Sequence, residues 1–176
     1  GGSPSLCSGV SVILPANPPH LARIVSAFEA LPHARVLGMT FLSLDHGRGS
    51  VKMPYRTELV GNPSTGVVHG GVITALLDTL CGAVVMAAVA EGTPLATLDL
   101  RIDYLHPASP REAIRASAEC YKVTATIAFV RGLAYHEAID DPIAHCAGTF
   151  MLGTGFSATA ASPVAAAEGA SGGQPC

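Results

Sequence analysis

The stretch HGGVITALLDTLCGAVVMAAVA, residues 69–90, decides the fold of this chain. Its large apolar residues recur at spacings of three and four, which predicts a helix with one broad core-facing side. That side consists of Ile73, Leu76, Leu77, Leu80 and Val84. The run is nearly long enough to cross a bilayer, but Asp78 and Gly82 interrupt it and no basic residues flank it. We therefore expect a buried helix and no membrane partner.

The segments around this helix have the patterns of strands. Residues 36–44 and 50–55 are β-rich runs joined by DHGRG, which predicts a hairpin, and residues 56–71 resemble a loop. After the helix the period changes to two. One face carries Leu98, Leu100, Ile102 and Tyr104, and the other carries Thr97, Asp99, Arg101 and Asp103.

Three further strand-like runs follow, at residues 112–122, 126–139 and 143–152. The order of two strands, one long helix and four strands in a meander predicts an α+β fold, in which a curved antiparallel sheet packs on the helix. Residues 1–32 form an N-terminal extension with a short amphipathic helix that Pro32 stops, residues 33–154 form the domain, and residues 155–176 form a flexible tail.

The composition excludes several classes of function. The 176 residues are 49% hydrophobic and 13% charged, with a net charge of −3 and no Lys/Arg cluster, so nucleic acid is not an expected partner. So few charges also favour self-association. Five cysteines without a CxxC pair indicate reduced thiols and a cytoplasmic location. Within the predicted domain, residues 33–154, GxSxG and Walker motifs are absent. The seven histidines form no HxH or HExxH motif. His136 and His145 could face each other across the last hairpin, but satisfied or solvent-facing histidines are commoner than metal ligands, so no metal is expected.

Two features of the helix could carry chemistry. Asp78 lies within an apolar helix, where a carboxylate is either hydrogen-bonded to a neighbouring strand or loop, or catalytic. Gly70 and Gly71 leave amide N–H groups open at the positive end of the helix dipole, which suits an oxyanion but also a simple tight turn. A second helix side is mostly small, and something must pack closely there; its members include Gly71, Thr74, Asp78, Cys81 and Gly82.

The order Asn62, His69-Gly70-Gly71, Asp78, and a strand with Thr97 that ends in YLHPA narrows the choice. The segment GNPSTGVVHGGVITALLDTLCGAVVMAAVAEGTPLATLDLRIDYLHPA, residues 61–108, resembles the core of the hotdog-fold thioesterases, in particular the phenylacetate-pathway type of acyl-CoA thioesterase. The resemblance covers residues 33–154. It implies a hotdog fold, with the sheet wrapped around the central helix.

The resemblance also implies roles for individual residues. The Gly70 N–H would polarise the thioester carbonyl, and Asn62 would orient the substrate or water. His69 would support the loop by hydrogen bonding. Asp78 would act as general base or nucleophile, and Thr97 would position the water. The interval from Asn62 to His69 is one residue longer than the family's usual interval.

Other positions complete the expected site. Gly71, Thr74 and Gly82, on the small side of the helix, are expected to contact the substrate. His106 stands where the family commonly has Arg. The expected reaction is hydrolysis of an acyl-CoA thioester without a cofactor, since coenzyme A belongs to the substrate. Two alternatives are an acyl-thioester hydratase or dehydratase on the same fold and a non-catalytic acyl-CoA-binding module.

The spacing of the two central groups predicts a homodimer. Gly70 and Asp78 are eight residues apart, so on one helix they stand about 12 Å apart and cannot both contact one carbonyl. If both take part, Asp78 comes from a second copy of the chain, with two helices packed antiparallel through their small sides. Association of two dimers into a tetramer is a further expectation.

Overall fold

The computed structural model describes residues 17–153, so most of the two terminal segments, including the tail over residues 155–176, lie outside the described residues. The described chain forms three α-helices, eight strands and one 3-10 turn at Thr57–Leu59. In chain order these are α1 (Pro18–Ala30), α2 (Pro32–Leu37), β1 (Thr40–Asp45), β2 (Arg48–Met53), β3 (Val60–Asn62), β4 (Val67–Val68), α3 (Gly70–Ala88), β5 (Leu95–Tyr104), β6 (Ile114–Val123), β7 (Ile127–Tyr135) and β8 (Pro142–Leu152).

Six strands form one antiparallel sheet in the order β1-β2-β6-β7-β8-β5, and β3 and β4 form a separate two-stranded ribbon. The predicted meander of four strands is therefore wrong in one respect. Only β6, β7 and β8 form a meander, whereas β5 lies at the sheet edge beside β8. The alternating pattern of a strand fits any neighbour, so it does not specify which strand it pairs with.

The sheet curves around α3, as the fold prediction requires. Register shifts interrupt the pairing of β1 with β2, β5 with β8, β6 with β7 and β7 with β8, and such bulges increase the local bend and twist of a sheet. The predicted core side of α3 is at most 2% exposed at every one of its five large residues. The helix is long and apolar enough to span a membrane, but most of it is buried inside the domain.

A bulge in β5 corrects the predicted facing of that strand. The pairing with β8 skips Leu98, so the alternation changes phase between Thr97 and Asp99. Thr97 consequently joins Leu100 and Ile102 on the side that faces α3, and Leu98 is 52% exposed instead of buried. The predicted separation of Thr97 from the helix-facing side was wrong for this reason.

The N-terminal part departs from prediction in small ways. The helix before Pro32 ends at Ala30, but Pro32 also begins α2, since proline is compatible with a first helical position. Residues 36 and 37 are therefore helical, and β1 begins only at Thr40. The hairpin of β1 and β2 is present, and the segment predicted as a loop contains the ribbon of β3 and β4.

Helix α1 packs on the C-terminal half of α3. Ile24 is buried with Ala83 and Ala87, and Phe28 packs against this cluster. The rings of Phe28 and Phe150 lie 3.8 Å from the position that a Cβ on Gly82 would occupy. The small side of α3 is thus covered within the chain from Gly82 onward, and only its N-terminal half remains accessible.

Candidate active site

The first turn of α3 presents a free backbone donor. His69 is the N-cap, and its Nδ1 accepts the Gly71 N–H at 2.9 Å. The His69 carbonyl accepts the Val72 N–H at 2.9 Å. Among the described residues no group accepts the Gly70 N–H. The helix start is therefore capped around Gly70 while the Gly70 donor stays available to a ligand.

A close approach of β3 places His69. A Cβ on Gly61 would lie 2.8 Å from the His69 Cα, which is closer than side chains tolerate. The His69 N–H donates to the Leu59 carbonyl at 2.9 Å, so the loop before α3 is fixed to the chain before β3. In accepting the Gly71 N–H, the His69 Nδ1 acts as an acceptor, so Nε2 is the ring nitrogen left to donate.

Tyr104, at the end of β5, holds the same turn from the other side. Its hydroxyl donates to the Gly70 carbonyl at 2.7 Å and contacts the Thr74 hydroxyl at 2.8 Å. A Cβ on Gly70 would lie 3.2 Å from the Tyr104 hydroxyl oxygen, so glycine permits this approach. His69 and Tyr104 therefore both hold the peptide unit between Gly70 and Gly71, which is next to the Gly70 N–H.

Asp78 lies two turns further along α3 and meets the opposite end of β5. Its Oδ1 accepts the Thr97 hydroxyl hydrogen bond at 3.0 Å. The side chain is half-buried, and no described Lys, Arg or His forms an ion pair with it. Its Oδ2 has no partner among the described residues. The structure thus brings together the predicted residues Asp78 and Thr97 and leaves one carboxylate oxygen available for a proton.

A cleft opens at the first turn of α3. Its volume is about 400 Å³ and it contains Gly70 and Tyr104. Most of its remaining wall is apolar and comes from β4, from Ile73, and from the segment after β5, residues 105–108. His106 is part of this wall, and its Nδ1 lies 2.9 Å from the Pro107 carbonyl oxygen. The free Gly70 donor is therefore next to a largely apolar cleft.

Asn62 occupies a different place from the one implied for it. Its side-chain oxygen accepts the Ser64 N–H at 3.0 Å, and its carbonyl accepts the Gly66 N–H at 2.8 Å. Both bonds close the turn between β3 and β4, and this use of an Asn side chain is typical of turns. The structure does not place Asn62 in the cleft beside Gly70.

Two histidines that could have faced each other do not do so. His145 pairs with Leu133 across β7 and β8, whereas His136 lies beyond the end of β7. Nε2 of His136 accepts the Ser109 N–H at 2.8 Å, and its Nδ1 lies 2.9 Å from the Ala113 carbonyl. Within residues 17–153 no cluster of His, Cys, Asp and Glu has a geometry that could hold a metal ion.

The thiols near Asp78 are packing groups. The sulfur atoms of Cys81 and Cys146 lie 3.8 Å apart in the core. Contact with the Cys146 sulfur and burial raise the pKa of the Cys81 thiol, and the contact with Cys81 lowers the pKa of the Cys146 thiol. Cys81 is fully buried and stays protonated, so it is not the nucleophile.

The site therefore contains two kinds of catalytic group at separate places. The Gly70 N–H can stabilise a developing oxyanion, and the Asp78 carboxylate can accept a proton or attack. Gly71 and Thr74 lie beside the first of these groups. Gly82 is enclosed beneath Phe28, away from both. The sequence pattern did not identify Tyr104 as a site residue. Its place on the helix-facing side of a strand could have indicated it, because a tyrosine hydroxyl in such a position needs a hydrogen-bond partner.

The chain is similar to known protein families and to solved structures. A family model described as the thioesterase superfamily matches residues 65–143. The crystal structure of a Pseudomonas aeruginosa protein is similar at 44% identity and a TM-score of 0.68, over 76% of this chain and 98% of that one. The medium/long-chain acyl-CoA thioesterase YigI of Escherichia coli is 26% identical over 136 residues, which cover 70% of this chain and 86% of YigI. A Halobacterium salinarum protein named as a candidate esterase is 33% identical over 94 residues, 52% of this chain and 61% of that protein.

Proposed function

Because the chain belongs to the thioesterase superfamily, we propose that it hydrolyses acyl-CoA thioesters to a free acid and coenzyme A. Thioester hydrolysis in general follows from the family. The choice of coenzyme A as the thiol is supported by the similarity to YigI, whose name specifies acyl-CoA. A cytoplasmic location, where thiols stay reduced, is part of the same proposal.

The mechanism uses the two groups on α3. The thioester oxygen accepts the Gly70 N–H, which stabilises the negative charge that forms as the carbonyl becomes tetrahedral. In one route, Asp78 takes a proton from water through Oδ2 while the water oxygen bonds to the carbonyl carbon. The C–S bond then breaks, and the sulfur takes the proton and leaves as the thiol. In the other route, an Asp78 oxygen bonds to the carbonyl carbon and the C–S bond breaks, so that coenzyme A leaves as the thiolate and an anhydride remains. Water then hydrolyses the anhydride, which frees the acid and the Asp78 carboxylate and supplies the proton that the thiolate takes up. Thr97 holds Oδ1 in both routes.

One observation carries the proposal that the site is shared between two chains. Gly70 contacts Tyr104 at one end of β5, and Asp78 contacts Thr97 at the other end. The helix is continuous between Gly70 and Asp78, so they stand about 12 Å apart. Thr97 and Tyr104 stand roughly 20 Å apart along the strand. One chain therefore cannot bring both groups to one carbonyl.

Strand β5 offers a way to join two copies. Within residues 17–153 it is a ten-residue edge strand, paired on one side only, and its free edge can pair with another chain. Antiparallel pairing of two β5 strands about the midpoint of Thr97 and Tyr104 would set Thr97 of one copy opposite Tyr104 of the other. Asp78 would then approach Gly70 of the partner subunit. In this arrangement the expected antiparallel approach of the two helices is confined to the N-terminal half of the small side of α3, because α1 covers the C-terminal half.

A thiol-release screen tests the proposal. Aromatic, medium-chain and long-chain saturated acyl-CoAs are supplied in turn to the wild-type chain and to Asp78→Asn, with a colorimetric reagent for free thiol. We expect release by wild type and none above background by Asp78→Asn. A hydratase would release no thiol from a saturated substrate, and a binding module would bind the acyl-CoA without turnover. Either result would overturn the proposal.

The shared site has its own readout. Sedimentation equilibrium of the wild-type chain should give a dimer, or a tetramer formed by two dimers. A monomer that nevertheless releases thiol would retain the proposed reaction and remove the shared site.

A further inference from the structure

Tyr104 lies at the surface, but its hydroxyl group is hydrogen-bonded to the backbone of α3. Its side chain is 50% exposed, yet its hydroxyl donates to the Gly70 carbonyl at 2.7 Å. The Thr74 hydroxyl oxygen lies 2.8 Å from the Tyr104 oxygen and 3.3 Å from the Gly70 carbonyl oxygen, to which it also donates. The three groups thus form a chain of hydrogen bonds from α3 through β5 and back to α3. Hydrogen bonds in such a chain strengthen one another.

The turn that this chain holds is weak by itself. Gly70 and Gly71 have no side chains to restrict their backbone, and glycine loses more conformational freedom on ordering than any other residue. Helix ends also fray. His69 restrains the Gly71 amide, and Tyr104 restrains the Gly70 carbonyl. Both bonds act on the single peptide unit that joins Gly70 to Gly71, and this unit adjoins the one that carries the Gly70 N–H. Tyr104 therefore restrains the turn next to the Gly70 N–H from a separate strand.

We propose that Tyr104 is a positioning residue, which holds the Gly70 N–H in the direction that the transition state needs. The inference rests on the proposed thioesterase function. The hydroxyl acts through the Gly70 backbone, and the ring forms part of the wall of the cleft that contains Gly70. Positioned donors contribute to the chemical step more than to binding of the ground state, so its loss affects kcat and leaves KM nearly unchanged.

The chain offers a matched control. Tyr55 also donates its hydroxyl to a glycine carbonyl, that of Gly66, at 3.0 Å. Tyr55→Phe and Tyr104→Phe therefore remove the same kind of bond, one in the loop between β3 and β4 and one at the start of α3. We expect Tyr104→Phe to lower kcat about tenfold, the effect of one hydrogen bond, with KM within about a factor of two. Tyr55→Phe keeps the wild-type kcat.

A combination with Gly70→Pro separates positioning from general stabilisation. Proline removes the Gly70 N–H, so the hydroxyl has no donor left to position. Tyr104→Phe then lowers kcat no further in the Gly70→Pro background. An equal kcat for Tyr104→Phe and wild type would overturn the inference. So would a tenfold loss that persists in the Gly70→Pro background.

Amide exchange gives a readout that does not need turnover. By NMR, exchange of the Gly71 N–H is expected to rise about fivefold in Tyr104→Phe and to stay unchanged in Tyr55→Phe, because loosening of the turn weakens the His69 cap. Unchanged exchange in Tyr104→Phe overturns the inference even if thioesters are hydrolysed. Absence of thiol release by wild type overturns the proposed function, and the inference falls with it whatever the exchange rates show.

Discussion

Replacement of Gly70 by proline removes one backbone N–H and adds a ring next to Tyr104. Gly70 is the first residue of α3, where an N–H has no partner within the helix and proline is well tolerated. The residue before a proline must be extended, and His69 already has φ −62° and ψ 133°. The fold should therefore accept this proline.

The structure also specifies the control. Any Cβ at this position lies 3.2 Å from the Tyr104 hydroxyl oxygen and 3.3 Å from its Cζ, so alanine and proline both crowd the tyrosine. Alanine retains the N–H. The ratio of the kcat values of Gly70→Ala and Gly70→Pro therefore isolates the donor from the crowding.

The expected size of the effect follows from the oxyanion role. Loss of one such donor costs about 2.7–4 kcal/mol in the barrier, or a factor of about 100–1,000 in kcat. Thiol release from the best substrate of the screen measures kcat for both variants. Circular dichroism melting checks that both are folded, and we expect midpoints within about 5 °C of each other.

A result of equal kcat for the two variants, with both folded, would refute the assignment of Gly70. The reaction could then proceed on this fold, but the oxyanion would be stabilised elsewhere. If the two variants have equal kcat values and both values are lower than that of wild type, the crowding of Tyr104, and not the N–H, controls the rate.

Further predictions concern the carboxylate, its partner, the shared site and the core. Mixing the Asp78→Asn and Gly70→Pro variants and letting their subunits exchange should restore about a quarter of the wild-type thiol release. Half of the dimers are then hybrids, and each hybrid has one intact site out of two. No recovery after proven subunit exchange would mean that each site is built from one chain. Asp78→Asn alone should lower kcat by a factor of about 100–10,000, and a smaller loss would exclude proton transfer by this group. Thr97→Ala removes the 3.0 Å bond to Asp78 and should lower kcat about tenfold, a smaller loss than Asp78→Asn; an unchanged rate would remove Thr97 from the site. Leu80 is fully buried, so Leu80→Ala should lower the free energy of unfolding of the protein by about 2–5 kcal/mol, as measured by urea denaturation. A loss below about 1 kcal/mol would contradict the place of Leu80 in the core.

The sequence predicted the helix and its buried side because both depend on local order. Apolar spacing along residues 70–88 places the large side chains on one side of any helix that forms there, whatever surrounds it. The glycines and proline around it mark its ends for equally local reasons. The alternation in residues 97–104 predicted a strand for the same reason.

The sequence failed where a contact from a distant element decided the outcome. The bulge at Leu98 moved Thr97 to the side of α3, and no local pattern marks a bulge of this kind. Proline at residue 32 could end one helix or begin another, and it does both. The Asn62 side-chain amide, which the family resemblance would place at the substrate, instead forms a hydrogen bond within the turn between β3 and β4.

The amino-acid sequence by itself thus determined one long apolar helix that begins at an unprotected pair of glycines and carries one acid, and strands enough to enclose it. Only the tertiary structure decided that β5 lies at the sheet edge, that its two ends hold Asp78 and Gly70 through Thr97 and Tyr104, and that α1 covers Gly82. The physical reason is that helix and strand periods are properties of neighbouring residues. Pairing order, bulges and the partners of a hydroxyl depend on residues that meet only when the chain has folded.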